Sequence, residues 1–331
     1  MCGRQVIKNA LHMSCTKLYV LLFLVFLSSC SEDFDLNLNA DSIPVVYFQM
    51  NPDDHVNYLT LTRSFTGNTN AFDMARNPQL VYYDDATIFL EGWVNNYKIW
   101  ETKFNPSDRV KSPGIFAESS GYCYEGVSPT EYGQMITHYR LVVTTSKMAS
   151  PLFSKIGIFE EPVIKSKWDK QICLYPDNYE IGIIPGLGTA YCDLFCVFHY
   201  KQLEGSWINL SDTFRLRKDM NFEAGKTDYL YANQFFNKIA ANIKPINDTI
   251  VRKFSSIDLI LYAGDNHLRD YLETYQNAAT LDLPPKGNVT NGLGLFTMLR
   301  TAVKEGMILD RVSHDSLCQG EITKKLGFVR W

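Results

Sequence analysis

VVYFQMNPDDHVNYLTLTRSF, Val45–Phe65, reads as two strands joined by a turn. Asn51, Pro52, Asp53 and Asp54 form a Pro and Asx cluster of the kind that reverses a chain, so Val45–Met50 and Tyr58–Phe65 pair as a hairpin. In the second run Leu59, Leu61 and Phe65 point one way, with Arg63 the exception among them, and Thr60, Thr62 and Ser64 point the other. One face is core and one is wet. Working outward, Ala86–Leu90, Tyr97–Phe104 and His138–Thr145 share this style, and in the last Tyr139, Leu141 and Val143 alternate with His138, Arg140 and Thr144. Short strands with turn signals between them and few helices predict an antiparallel β-sandwich, immunoglobulin-like, over 44–150.

The composition shifts between Lys147 and Pro162, where two prolines bracket a short strand-like run, and a domain boundary is expected there. A β-rich domain with a few packed helices follows over 151–331, so the chain as a whole is expected to be mainly β. Strands are predicted around Lys170–Leu174, Tyr179–Ile184 and Cys192–Tyr200. In the last, both Leu194, Cys196, Phe198 and the opposite set Tyr191, Phe195, Val197 are apolar, which fits a central strand covered on both faces. After the N-cap types Thr227 and Asp228, Ala232, Phe235, Phe236, Ile239 and Ile243 recur at helical intervals until Lys244 and Pro245, which predicts a helix over Tyr229–Ile243. Ile257–Tyr262 is a further strand and Asp265 caps a helix over Asn266–Gln276. Asn288–Phe296 leads to a last short helix near Met298–Lys304.

The address of the chain is written earlier, in KLYVLLFLVFLSSCSED, Lys17–Asp33. One positive charge precedes the apolar run Leu18–Leu27, too short for a bilayer, which needs about 20 apolar residues, and suited to a signal peptide. Leu27, Ser28, Ser29 and Cys30 resemble the lipobox of bacterial lipoproteins, which implies a signal peptide over 1–29, an acylated Cys30 and a lipidated flexible tether over 30–43. Met13 is as good a start as Met1. Ser31, Glu32, Asp33 and Asp35 resemble the surface-export signal of Bacteroidota lipoproteins; a solvated acidic tether is the alternative. The expected location is the outer membrane, lipid-anchored, at the cell surface.

Charge narrows the partners. The formal net charge is −4, and removing 1–29 takes away Arg4, Lys8 and Lys17 and no acidic residue, so what remains is more acidic still. That balance argues against nucleic acid or an anionic lipid surface as the partner. Phe (20) and Tyr (19) dominate the aromatics, as strand-built cores favour. Beyond Cys30, Cys123, Cys173, Cys192, Cys196 and Cys318 are odd in number and match no zinc spacing or disulfide scaffold, so at least one thiol stays free. Cys192 and Cys196, four residues apart on one strand, would stand about 13 Å apart, beyond disulfide reach.

Chemistry-bearing motifs are sparse. His314, Asp315 and Ser316 have the residue types of a hydrolase triad, but three consecutive residues cannot converge on one another and read as a polar turn. Asp53, Asp54, Asp84 and Asp85 read as turn residues, outside any repeated calcium loop. PGLG (Gly186, Gly188) and NGLG (Gly292, Gly294) are turns without a phosphate-loop setting. His55, His138, His199 and His267 share no spacing. No catalytic residue, metal ligand or cofactor is assigned. Ser42, Thr249 and Ser316 each sit in an Asp, Ser or Thr, apolar tripeptide resembling the O-glycosylation acceptors of exported Bacteroidota proteins. GWVNNYKIW places Trp93, Tyr97 and Trp100 close together, and these are the candidate ligand-binding residues, with core packing the competing role.

The lipobox, Val45–Phe65, HYRLVV (His138–Val143), NGLGLF (Asn291–Phe296) and KKLGF (Lys324–Phe328) together resemble a family of Bacteroidota outer-membrane lipoproteins whose mature part is a domain of unknown function. The resemblance implies a surface or periplasm-facing lipoprotein, often found near TonB-dependent transport systems, and carries over no catalytic residues. The expected function is therefore a non-catalytic binding or accessory component of an envelope transport system, whose partner is such a transporter or a glycan or peptide ligand. An adhesion or structural surface protein is the first alternative and a glycan- or peptide-acting hydrolase the second.

Overall fold

The computed structural model describes residues 42–65, 67, 69–109, 123–129, 135–166, 170–174, 179–218, 228–245, 250–281 and 286–330, without the side chains of 179–181, 228–230 and 276–281. The signal segment, Cys30, nearly all of the tether and Thr249 lie outside the described residues.

The hairpin forms as its sequence predicts. β1 (Pro44–Met50) and β2 (Val56–Arg63) pair antiparallel with Val46 opposite Leu61 and Phe48 opposite Leu59, and these four side chains are buried. Asn57 holds the turn: its carboxamide oxygen accepts from the Asn51 N–H at 2.7 Å, and its NH2 donates to the Asn51 carbonyl at 2.9 Å and the Ser128 hydroxyl at 2.7 Å. Two short helices, α1 (Ala71–Ala75) and α2 (Pro78–Val81), are capped by Asn70 and Asn77. β3 (Thr87–Val94), β4 (Tyr97–Pro106), β5 (Cys123–Val127), β6 (His138–Thr144) and β7 (Leu152–Gly157) complete this half, with Tyr139, Leu141 and Val143 of β6 fully buried.

The pairing runs β1–β2–β5–β4–β3–β6–β7, and the fold is mainly β. On its other edge β1 pairs in parallel with the start of the long strand β15 (Leu293–Leu309), so one of the first strands lies against the last. Phe153 of β7 exchanges hydrogen bonds of 3.2 and 2.9 Å with Thr290, just ahead of β15, so the path curls back to its origin. The expected boundary near 150 falls in the turn between β6 and β7, which are hydrogen-bonded neighbours with Val143 opposite Leu152. The sheet therefore continues across it, and Ser42–Phe65 with Thr69–Trp331 makes one compact unit.

In the second half β11 (Tyr191–Glu204), β12 (Ser206–Arg217) and β14 (Arg252–Gly264) join β15 in the antiparallel order β12–β11–β14–β15, while β9 (Gln171–Ile172) adds to the far end of β15. β8 (Val163–Ser166), β10 (Tyr179–Ile184) and β13 (Asp228–Leu230) form a separate three-stranded sheet. The buried face of the larger sheet carries Cys192, Leu194, Cys196 and Phe198 beside Leu259 and Leu261. Phe235, Phe236 and Ile239 of α3 (Ala232–Asn242) join the same core, as their spacing predicts. Phe236→Ala should cost about 2 kcal/mol, the transfer value of one buried aromatic; an unchanged urea midpoint would contradict this packing.

Four local expectations are corrected. Residues 298–304 are not a helix: they extend β15, where Ala302 faces Leu261 and Val303 faces Ile260 of β14. The spacing of Met298, Leu299, Ala302 and Val303 suits a helix equally well, and cross-strand pairing decides for the strand. His314, Asp315 and Ser316 form no turn but lie inside α5 (Arg311–Gln319), whose N-cap Asp310 accepts from the Val312 and Ser313 N–H groups. α3 starts later than predicted because Asp228–Leu230 is strand, and its N-cap Tyr231 makes no side-chain cap. β11 is fully covered on one face and only partly on the other, where Tyr191, Phe195 and Val197 are half-buried. The helix after Asp265, α4 (Asn266–Leu281), forms as expected, and Cys123, Cys192, Cys196 and Cys318 are free thiols.

Candidate functional site

The three aromatics of GWVNNYKIW are divided by the pleat. Trp100 lies opposite Gly92 on the inner face, packs against the main core and meets the Tyr139 ring edge-on at 6.5 Å. Trp93 points outward, stacks on His138 at 6.2 Å and donates through Nε1 to the Glu91 carboxylate at 3.0 Å. Tyr97, 77% exposed, stands at the hairpin tip, where Asn95 adopts a φ of 53°. They do not converge on one surface.

A different set of side chains does converge. A cavity of about 590 Å³, within the usual range for small-ligand sites, lies where the β1–β2 turn, β6, the segment after β7, the PGLG loop and β15 meet. Its polar anchor is Arg300 of β15. The guanidinium forks onto Asp53, Nε at 2.9 Å from Oδ2 and Nη2 at 2.6 Å from Oδ1, and Nη1 donates to the Phe159 carbonyl at 3.0 Å. Asp53 is itself placed by the turn, its N–H donating to the Asn51 side-chain oxygen at 3.2 Å. A bidentate pair of this kind is geometrically fixed and only partly exposed, at 14% for Arg300 and 41% for Asp53.

A second part of the lining is a short ladder. Glu160 donates its N–H to the Leu187 carbonyl at 3.0 Å, and the Leu187 N–H returns to the Glu160 carboxylate at 3.2 Å. PGLG explains the closeness: a Cβ on Gly186 would stand 1.8 Å from the Glu160 carbonyl oxygen, and Gly188 has a φ of +90°. Ile136, Ile158, Phe159 and Leu187 give the cavity apolar walls, while Glu160 and Glu161 are exposed at its rim.

Tyr139 is the unusual member. It lines the cavity with no measurable exposure, and among the described residues its hydroxyl has no hydrogen-bond partner. A buried hydroxyl without a partner costs about 1–3 kcal/mol, so Phe would be the cheaper residue for packing alone. Burial pushes its pKa up to about 12, the Arg300 charge opposing and the Asp53 charge adding to the rise. The neutral form is thus favoured in the folded state: the contribution is full below the unfolded value of 10.0 and is lost as pH rises from there towards 12. Alkaline melts over that window should show wild type losing stability more steeply than Tyr139→Phe; equal slopes would count against the assignment.

Other constellations are less suggestive. His199 Nε2 stands 2.7 Å from Asp258 Oδ2, with Ser211 and Ser256 as its cross-strand neighbours, but no described hydrogen bond joins either serine to His199. Ser42 is half-buried ahead of β1, and the Ser316 hydroxyl donates to the Val312 carbonyl at 3.0 Å within α5. Sequence reasoning missed the cavity residues. The available signals were Arg300, a charge ending the apolar run LGLFTMLR, and Tyr139, a hydroxyl at the start of an inward-facing row. In comparison with known proteins, no family model matches the chain and no curated protein does so.

Proposed function

We propose that the chain is a lipid-anchored outer-membrane protein, displayed at the cell surface through Cys30, and that it serves as a non-catalytic binding or accessory component of an envelope transport system. The observation that carries the binding role is the cavity: a preorganised ion pair, a fixed rim and a buried tyrosine whose hydroxyl has no partner among the described residues line a space of ligand size. The anchor is supported by the resemblance of Leu27–Cys30 to a lipobox, and the transport setting, with a TonB-dependent transporter or a glycan or peptide as partner, by the family resemblance alone. We further propose that the first half is an Ig-like sandwich, with β4 turning the corner: Ile88–Phe104 pairing gives way to β5 pairing at Asn105, and Phe104 packs on Phe48 at 5.3 Å.

The tests separate these parts. Labelling with a radioactive fatty acid should mark wild type and leave Cys30→Ala unlabelled; equal labelling would sink the anchor. On glycan and peptide arrays, binding should be lost in Ile158→Trp, which fills the cavity, and kept in the Trp93→Ala, Tyr97→Ala double mutant. The reverse result would return the site to the exposed aromatics, and a wild type that binds nothing would favour the adhesion or structural reading.

A further inference from the structure

We propose that the cavity beside Arg300 takes a cationic amphipathic ligand: a primary ammonium or guanidinium carried on an apolar chain, its charge at the Glu160 and Glu161 rim and its body against Ile158, Phe159 and Leu187. This rests on the cavity being the binding site.

Charge at the mouth decides the sign. Arg300 is committed, its fork closed on Asp53 and its remaining arm on the Phe159 carbonyl. Subtracting that pair leaves Glu160 and Glu161, and neither forms an ion pair with a cation among the described residues. An anionic ligand would meet these carboxylates with no uncommitted cation among the described lining residues to offset them, whereas an ammonium is attracted to them. The rim is also fixed in advance: Gly186 lets the 160–187 ladder close, so Glu160 is held in place before anything binds.

Below the rim the demand changes. Isoleucine and leucine side chains offer nothing to a charge and, with Phe159, reward methylene groups. Tyr139 lines the same cavity, and its hydroxyl, fully buried and without a partner among the described residues, is the group assigned to an amide or hydroxyl of the ligand once the ring shifts to admit it. A lysine side chain with its backbone amide has these features, and so does a free alkylamine with a polar end. The shared chemistry is the cation on an apolar stem.

The test is calorimetric titration of the full chain in non-ionic detergent with N-acetyl-leucyl-lysine amide and with its norleucine and glutamate counterparts, each repeated in high salt. The lysine probe should bind at least tenfold more tightly than the norleucine probe, the glutamate probe should not saturate, and high salt should erase the preference. Glu160→Gln with Glu161→Gln, exposed changes that keep shape, should bring the lysine probe down to the norleucine level, and Tyr139→Phe should weaken all probes while keeping their order. Competition by n-pentylamine as strong as that of the lysine probe assigns a free amine, and failure to compete assigns a basic peptide. Norleucine or glutamate binding as tightly as lysine, and lost in Ile158→Trp, would overturn the charge assignment and leave the cavity as the site. If no probe saturates, the cavity reading falls as well.

Discussion

Asp265→Ala should lower folding stability by about 4 kcal/mol, because it strips the acceptor from three buried donors at once, each costing about 1–3 kcal/mol when left unpaired. Asp265 is 5% exposed. One carboxylate oxygen accepts from the Leu268 N–H at 2.9 Å, capping α4, and from the Thr297 hydroxyl at 2.6 Å. The other accepts from the Met298 N–H at 3.1 Å. The side chain therefore joins the start of a helix to the point on β15 where pairing passes from β1 to β14. Asp265→Asn keeps one acceptor oxygen and should cost less, about 2 kcal/mol, by the same count. Urea titration gives both numbers, and an alanine variant within 1 kcal/mol of wild type would show that water replaces the carboxylate. Because Arg300 follows Met298 by two residues on the same strand, the alanine variant should also bind cavity ligands more weakly at temperatures where it remains folded.

What the sequence revealed was local. The β1–β2 hairpin was legible because its turn residues and its alternation lie within one short stretch, and the inward face of α3 because Phe235, Phe236 and Ile239 repeat at helical spacing. Asp265 was legible as a cap, but its bonds to Thr297 and Met298 were not, since they span more than thirty residues. β15 was misread at its centre because it serves two partners in turn, parallel to β1 over Leu293–Met298 and antiparallel to β14 beyond, so no single periodicity describes it. The division near 150 followed a shift in composition, whereas the sheet is organised by a pairing of β1 with β15 that leaves no local signature. The cavity was hidden for the same reason: Asp53, Tyr139, Glu160, Leu187 and Arg300 come from five separate segments, and only the fold brings them together.

That same pairing of β1 with β15 sets the second large effect. Phe48→Ala should cost about 4 kcal/mol, towards the upper part of the range for a buried phenylalanine. Phe48 is 1% exposed, stacks on Phe296 of the facing strand at 5.0 Å with the rings 2° from parallel, and meets Phe104 edge-on at 5.3 Å. Cavity cost depends on how far neighbours can relax, and here they are held. The Phe104 ring occupies the space over Gly126, where a Cβ would come within 2.5 Å of it, so moving towards the gap would open another. Phe296 is in register with Phe48 on β15 and its backbone N–H donates to the Asn288 side-chain oxygen at 2.9 Å, which holds the strand where it is. A lowered urea midpoint with an unchanged slope is the expected readout, since the loss is of packing and not of the surface exposed on unfolding. The cycle with Phe296→Ala should return a coupling of about 1 kcal/mol for the stacked pair. A single-variant cost below 1 kcal/mol, or a coupling of zero, would mean that the Phe48 ring does not join the first strand to the last.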